Sequence, residues 1–452
     1  MSYDFTKTSP AHEQFWMPFT PQRLFKSNPR MMVSADGMYY TDQDGKKILD
    51  GIAGLWCTNA GHNHPKIKEA MKAQIDTLDY APNFQYGHPT AFEAAKRLTD
   101  AMPDPFTHVF FSNSGSEAVD TALKIALGYQ RAKGDGQRRV LIGRERGYHG
   151  VGFGGISVGG IPYTCAYFGQ RLPDIDHIVH TWDLEHNAFS KGEPEWGAHL
   201  ADDLLNTIYL NDPSNIAAVI IEPVAGSTGI LPPPKGYLKR IREICDEYGI
   251  LLIFDEVVTA FGRMGEMSST TYFDVMPDII VSAKGLTNGA VPMGATFVTS
   301  DIYDTFMNGP REIIELMHGY TYSGHPLACA AAIGTLDAFE EDNILENARK
   351  MMPIFEEAVH SLKDKPYVMD IRNCGMIAGV QLENYSDDDP MLRTRTASYE
   401  LFNRGAVIRY SGPTMQLSPS LTINEKEIDQ LVTMLGDVLD DIGSGKVAGV
   451  LA

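Results

Sequence analysis

The chain has 452 residues, with 38 Lys and Arg against 58 Asp and Glu, a formal net charge of −20. This length gives material for roughly two to three domains and a large core, so stability requires neither disulfides nor a structural metal. The acidic balance excludes a broad basic surface of the kind that holds nucleic acid, while a locally positive pocket is still allowed. Five scattered cysteines (Cys57, Cys165, Cys245, Cys329 and Cys374) form no CxxC pair. They argue against a disulfide framework or zinc site and for a reducing compartment. The opening MSYDFTKTSPAHEQFW lacks the basic and apolar regions of a signal peptide. No apolar run approaches the ~20 residues of a membrane helix. The expectation is a soluble cytoplasmic protein with no nucleic-acid or membrane partner.

In chain order, residues 33–53 read as short strands around Asp-Gly turns. HVFF (108–111) is strand-like. The following SNSGSEAVDTALKIALGYQ places Ala118, Ala122, Ile125, Ala126 and Tyr129 at helical spacing. Further apolar runs are RVLIG (139–143), IAAVIIEPV (216–224), ILLIFDEV (250–257), DIIVSAK (278–284) and GATFVTS (294–300). The helical YLKRIREICDEYG falls between IAAVIIEPV and ILLIFDEV. Continuous apolar strands separated by helices predict an α/β fold: a mostly parallel central sheet with helices on both faces. Residues 327–364 read as long helices, and residues 371–424 return to short strands. The chain then divides into a large α/β domain over 61–325 and a smaller α+β domain built from 1–60 and 326–452.

Three features of the large domain make chemical sense together. IFDEV puts Asp255 and Glu256 at the end of an apolar strand, where an acid is costly without a partner; alone, it fits a salt bridge or a helix cap as well. SAKGLTNG puts Lys284 at the end of the next strand. Such a lysine is either a snorkelling surface residue or a desolvated amine suited to a Schiff base. In open α/β sheets, ligands sit at the carboxyl ends of strands, so acid and amine can face one cavity. SNSGSEAVD (112–120) is a Gly/Ser turn between strand and helix, either a phosphate cradle or an ordinary N-capping turn. Together these are the parts that pyridoxal 5′-phosphate (PLP) needs. The cradle anchors the phosphate, the acid keeps the pyridine nitrogen protonated, and the lysine forms the Schiff base.

Other patterns carry less. GVGFGG (150–155) fits G-x-G-x-x-G, but ISVGGIPYT follows it rather than an evident helix, which speaks against a dinucleotide site. His62 and His64 in GHNHP have no third ligand at useful spacing, so they read as a turn and no metal is expected. SGSE is not the hydrolase elbow.

With IFDEVVTAFGRMG, PDIIVSAKGLTNGAVPMGA, FSNSGSEAVDTALKIA, RERGYHG, VIIEPV and HGYTYSGHP, the sequence resembles the class III aminotransferases of fold-type I PLP enzymes. WMPFT (16–20), GLW (54–56), NFQYGHP (83–89) and IRNCG (371–375) make it most similar to the ω-amino acid:pyruvate group, which includes β-alanine:pyruvate aminotransferases. The resemblance implies that Lys284 is the Schiff-base lysine and the base that moves the donor proton. It implies Asp255 on the pyridine nitrogen, Val257 and Tyr148 on the two ring faces, and Glu222 supporting ring and acid. Ser114, Gly115 and Ser116 would hold the phosphate, with His149 and Tyr320 completing the cofactor set. Thr321 would reach the phosphate from the partner subunit, giving a homodimer or tetramer with shared active sites. Pyridoxamine 5′-phosphate (PMP) would be the intermediate cofactor form.

For substrate, the resemblance implies that Arg409 forks onto a carboxylate, and swings away when an apolar donor enters. Phe19, Leu55, Trp56, Tyr148 and Ala225 would line the donor pocket. Ornithine- and γ-aminobutyrate-type relatives carry a glutamate shortly after the EP pair that gates a second arginine. EPVAGSTG has Ser227 there instead, which favours pyruvate over 2-oxoglutarate as acceptor. The competing readings are another enzyme of the class (a diaminopelargonate or γ-aminobutyrate-type aminotransferase, an aminomutase or an epimerase) and a PLP-binding protein without turnover.

Overall fold

A computed structural model describes residues 14–447; most of the opening segment read as lacking signal-peptide features, residues 1–13, lies outside them. The strands in chain order are β1 (Met32–Asp36), β2 (Tyr39–Asp42), β3 (Lys47–Asp50), β4 (Phe106–Ser112), β5 (Val140–Arg144), β6 (Ile175–Ile178), β7 (Ile216–Ile221), β8 (Leu251–Asp255), β9 (Ile279–Ser282) and β10 (Gly294–Thr299). The C-terminal part adds β11 (Val368–Cys374), β12 (Ile377–Leu382), β13 (Ala406–Val407), β14 (Arg409–Ser411) and β15 (Thr414–Leu417).

The central sheet has seven strands in the order β4-β10-β9-β8-β7-β5-β6. Its strands are apolar throughout because both faces are covered. Ala218 and Ile220 of β7 and Ile253 of β8 pack with Ala118, Ala122, Ile125 and Ala126 of helix Gly115–Ala132. The alternate residues Val219, Ile221, Leu252 and Phe254 pack on the opposite face, with Leu238, Ile241 and Ile244 of helix Tyr237–Tyr248. The two-residue period of the strand sends successive side chains to opposite helical layers, which is why the sequence shows runs instead of alternation. Helix Gly115–Ala132 opens on Ser114, whose side chain accepts from Glu117 N, and carries Glu117 in its first turn where the helix dipole favours an anion.

The sheet is mostly parallel, but β10 runs against both its neighbours. Residues 283–293, which join β9 to β10, are too few for a helical crossover, so the chain turns straight back. β6 was not anticipated from sequence, since its four residues IDHI, at the sheet edge, set two polar residues between two isoleucines and form no apolar run. Within the stretch expected to be all strand lies helix Leu392–Arg404. It buries Thr394, Ala397, Ser398 and Leu401, a helical spacing made of small and hydroxylated residues that an apolar count overlooks. GVGFGG does lead into a short helix, Phe153–Val158. Its glycines serve close packing: a Cβ at Gly154 would lie 2.4 Å from Asp120 Oδ1, on the helix that follows β4.

Two smaller sheets complete the fold. One is β1-β2-β3-β13, in which β13 from the C-terminal region pairs in parallel with β3, Ala406 opposite Leu49. The other is β11-β12-β15-β14. Segments from the N-terminal and C-terminal parts of the described chain therefore meet in one sheet, and β14 delivers Arg409 to the cavity at the carboxyl ends of β7, β8 and β9.

Candidate active site

Three adjacent strands stop in step. β7 ends just before Glu222-Pro223, where proline cannot continue the ladder. β8 ends on Asp255, and β9 ends two residues before Lys284. Their ends open into a cavity of about 870 Å³ whose wall includes Glu222, Asp255, Lys284, Gly115, Ser116, Tyr148, His149, Val257, Trp56 and Arg409. Residues far apart in the chain meet there because the parallel topology places every strand's carboxyl end on one edge.

Burial pushes the Lys284 amine below the ordinary lysine value, against the pull of Cys57 and Asp255. Its backbone is left-handed, φ +49°, which costs a non-glycine residue ~1–3 kcal/mol and is tolerated where function fixes a side chain. Its Nζ lies 4.8 Å from the Trp56 ring centroid, and the Arg409 guanidinium lies 4.7 Å from the same ring. Trp56 thus neighbours both the amine and the guanidinium inside one cavity.

Asp255 is buried and held at both oxygens: Oδ2 lies 2.8 Å from His149 Nδ1, and Oδ1 accepts from Val257 N at 3.1 Å. The buried His149 leaves its Nε2 without a partner among the described residues. Glu222 accepts from Tyr148 N at 2.8 Å and Gly226 N at 2.9 Å. Burial raises its carboxyl above the usual range despite the nearby His149. Glu222 thereby fixes the backbone of Tyr148, one of the aromatic residues of the wall. Across the cavity, Gly115 packs closely on the ring-face valine: a Cβ there would lie 3.0 Å from the Val257 side chain, which would have to give way.

At the cradle, Gly115 and Ser116 are the first residues of their helix, so their N–H groups have no acceptor within it. Ser116 Oγ accepts from Val151 N at 3.1 Å. A flat, anionic, pyridine-type cofactor suits this set: an acid for the ring nitrogen, a valine and a tyrosine for its faces, free N–H groups for phosphate, and a desolvated amine.

Of the residues named from sequence, Phe19 and Leu55 also border the cavity, at its exposed side. Ser114 is the helix cap behind the wall. Ala225 is buried in a bridge with Leu231 and does not border the cavity. Tyr320 bonds the carbonyl of Glu117, and the carbonyl of Thr321 accepts from Tyr80 at 3.0 Å on the surface; neither borders the cavity. His62 bonds Asp50, and His64 bonds Asp342. Sequence reasoning missed Gln416, the hydrogen-bond partner of Arg409. The available signal was a lone amide in the otherwise apolar end of β15.

A buried lysine and acid on neighbouring strand ends, facing a glycine-led helix start, define a PLP enzyme on the α/β transaminase fold. The chain belongs to the class III aminotransferases, whose family pattern, described as aminotransferase class-III, matches residues 25–439. It is 53% identical over 430 residues to the omega-aminotransferase of Caulobacter vibrioides, covering 95% of this chain and 98% of that one. It is 47% identical over 430 residues to the beta-alanine–pyruvate aminotransferase of Pseudomonas aeruginosa, covering 94% and 95%. The crystal structure of the omega transaminase from Pseudomonas jessenii in complex with PMP superposes with a TM-score of 0.89. It shares 31% identity and covers 96% of this chain and 97% of that one. The enzyme is a PLP-dependent aminotransferase. Among the described residues no helix is long and apolar enough to cross a membrane.

Proposed function

We propose that this aminotransferase moves the amino group of an ω-amino acid such as β-alanine, or of a primary amine, to pyruvate in two half-reactions, giving alanine and an aldehyde or ketone. The observation that carries this reading is Arg409: a largely buried guanidinium in the same cavity as Lys284, with no carboxylate partner among the described residues. Such a group is suited to the single carboxylate of pyruvate or of β-alanine. The names of the similar proteins from C. vibrioides and P. aeruginosa support the same choice. Ser227 borders the cavity where the glutamate-gated relatives place an acid, which favours a monocarboxylate acceptor.

PLP, when bound, supplies the carbonyl that accepts the amino group and a ring that draws electrons from the donor carbon. The roles of the residues follow from their positions. Lys284 Nζ, its ammonium disfavoured by burial, takes the proton from the carbon that bears the donor's amino group. Asp255, braced by His149, holds a proton on the ring nitrogen. Tyr148 and Val257 keep the ring flat between them, and Gly115 and Ser116 hold the phosphate. Thr321, with Phe84, Tyr86, Met317 and Tyr322 exposed on the same molecule, fits a face covered by a second copy that sends Thr321 to the partner's phosphate. The β3–β13 pairing supports dividing the chain into a large domain over 61–325 and a small one from both termini.

The test is the visible spectrum of the PLP-loaded protein. β-Alanine should bleach the cofactor band and pyruvate should restore it. Faster restoration by 2-oxoglutarate at equal concentration would remove the acceptor assignment, and a band unchanged by β-alanine would remove the donor assignment.

A further inference from the structure

Arg409 can serve a substrate carboxylate only if something fixes its guanidinium without cancelling its charge. The neighbour that does this is Gln416. β14 and β15 are antiparallel, with Arg409 opposite Gln416. Arg409 Nη1 donates to Gln416 Oε1 at 3.0 Å, and Gln416 Nε2 donates to the Gly226 carbonyl at 3.0 Å. Gln416 is fully buried. Its orientation is set from both sides, because a guanidinium only donates and a carbonyl only accepts. Gly226 N in turn donates to Glu222 Oε2 at 2.9 Å. One hydrogen-bonded chain therefore ties Arg409 to the loop that carries Glu222 and Ser227.

We propose that Gln416 is a positioning residue that sets the enzyme's preference for carboxylate-bearing substrates: it fixes Arg409 beside Trp56 and leaves the guanidinium's charge for the substrate. The proposal rests on the reading of Arg409 given above. An amide suits the place for a physical reason. A carboxylate there would oppose the Gly226 carbonyl, acceptor against acceptor, and would take the guanidinium as an ion pair. An apolar side chain would leave Arg409 Nη1 without its acceptor and would untie the side chain at 416 from the Gly226 carbonyl, which would keep only its backbone donors Gly229 N and Ile230 N. Monoamines without a carboxylate do not call on Arg409, so changes at 416 should divide substrates by carboxylate rather than slow every substrate alike.

The experiment uses PLP-loaded wild type, Q416E, Q416L and R409L. Binding of propionate, an unreactive carboxylate, is measured by calorimetry, and bleaching of the cofactor band by β-alanine and by n-butylamine is followed in single turnovers. In Q416E the propionate Kd and the half-saturating β-alanine should each rise about tenfold or more, with n-butylamine bleaching within about twofold of wild type. In Q416L the same split should appear at about three- to tenfold, through loss of positioning alone. Q416L carries the test by itself if the buried acid prevents folding. Unchanged propionate affinity in the variants overturns the proposal, as does an equal loss for propionate and n-butylamine. R409L distinguishes the two levels. If it keeps wild-type propionate affinity, the reading of Arg409 fails and this proposal with it. If R409L and Q416L both lose propionate while β-alanine never bleaches wild type, the donor assignment alone is wrong and Gln416 keeps its role.

Discussion

Lys284 shows how a residue suited to chemistry works against the stability of its own fold. Burial disfavours its charged form, so below the ordinary lysine value there is a pH range in which the unfolded chain holds a proton that the folded apoprotein binds less well. With the unfolded state holding more protons, stability rises with pH between the lowered folded value and the ordinary lysine value of 10.5. A K284M apoprotein, free of the buried amine, should therefore melt about 1–3 °C above the wild-type apoprotein at neutral pH. That gap should close as pH rises through the same window. Scanning calorimetry of both apoproteins over a pH series checks the sign, and a gap that widens with pH would show that the amine is not penalised in the fold. In the PLP-loaded state K284M should lack transamination, and full activity would refute the role of Lys284. Asp255 and Lys284 were legible in the sequence because each interrupts an apolar run, and a charged residue in such a place needs a reason. Gln416 escaped notice because a lone amide beside apolar residues is a weak signal and one of its two partners is a backbone carbonyl 190 positions away, on Gly226.

At the level of elements, the site depends on segments that approach more closely than side chains allow. Gly150 has φ +89°, and a Cβ there would lie 2.4 Å from Ser116 Oγ. The segment after β5 is thus pressed onto the start of the helix whose free N–H groups form the phosphate cradle. G150A combines a disfavoured backbone with this overlap and should cost about 1–3 kcal/mol. Because Ser116 must shift, PLP affinity should fall more than thermal stability does. Equilibrium dialysis of PLP beside a melting curve of the apoprotein separates the two effects, and an unchanged PLP affinity would show that the cradle does not depend on this contact. The same crowding explains which elements could be read in advance. β7, β8 and β9 were visible as apolar runs because helices bury both their faces. The helix Leu392–Arg404 was hidden, since its buried stripe is threonine, alanine and serine with one leucine. The reversed direction of β10 depends on the length of a link and on its neighbours, which no periodicity encodes.

For the whole molecule, the proposed exchange of Thr321 between two subunits can be set beside the apolar groups exposed near it. Phe84, Tyr86, Met317 and Tyr322 are 53%, 76%, 80% and 57% exposed, and large exposed aromatic and aliphatic side chains of this kind mark association surfaces. Thr321 lies among them in sequence and outside its own cavity. A symmetric dimer that covers this face would exchange Thr321 between the two sites. The arrangement predicts complementation. K284M lacks the amine of its own site, and T321D places a negative charge against the partner's phosphate. Each variant alone should be nearly inactive. Unfolding, mixing and refolding the two in equal amounts should form heterodimers in which one site has Lys284 from one chain and Thr321 from the other. With random pairing, activity should recover to about one quarter of wild type, since half the dimers are mixed and each holds one intact site. If Thr321 served its own subunit, every site in the mixture would lack one group and no activity would return. Recovery in the mixture, measured against each variant refolded alone, therefore reports directly whether the active site is built from two chains.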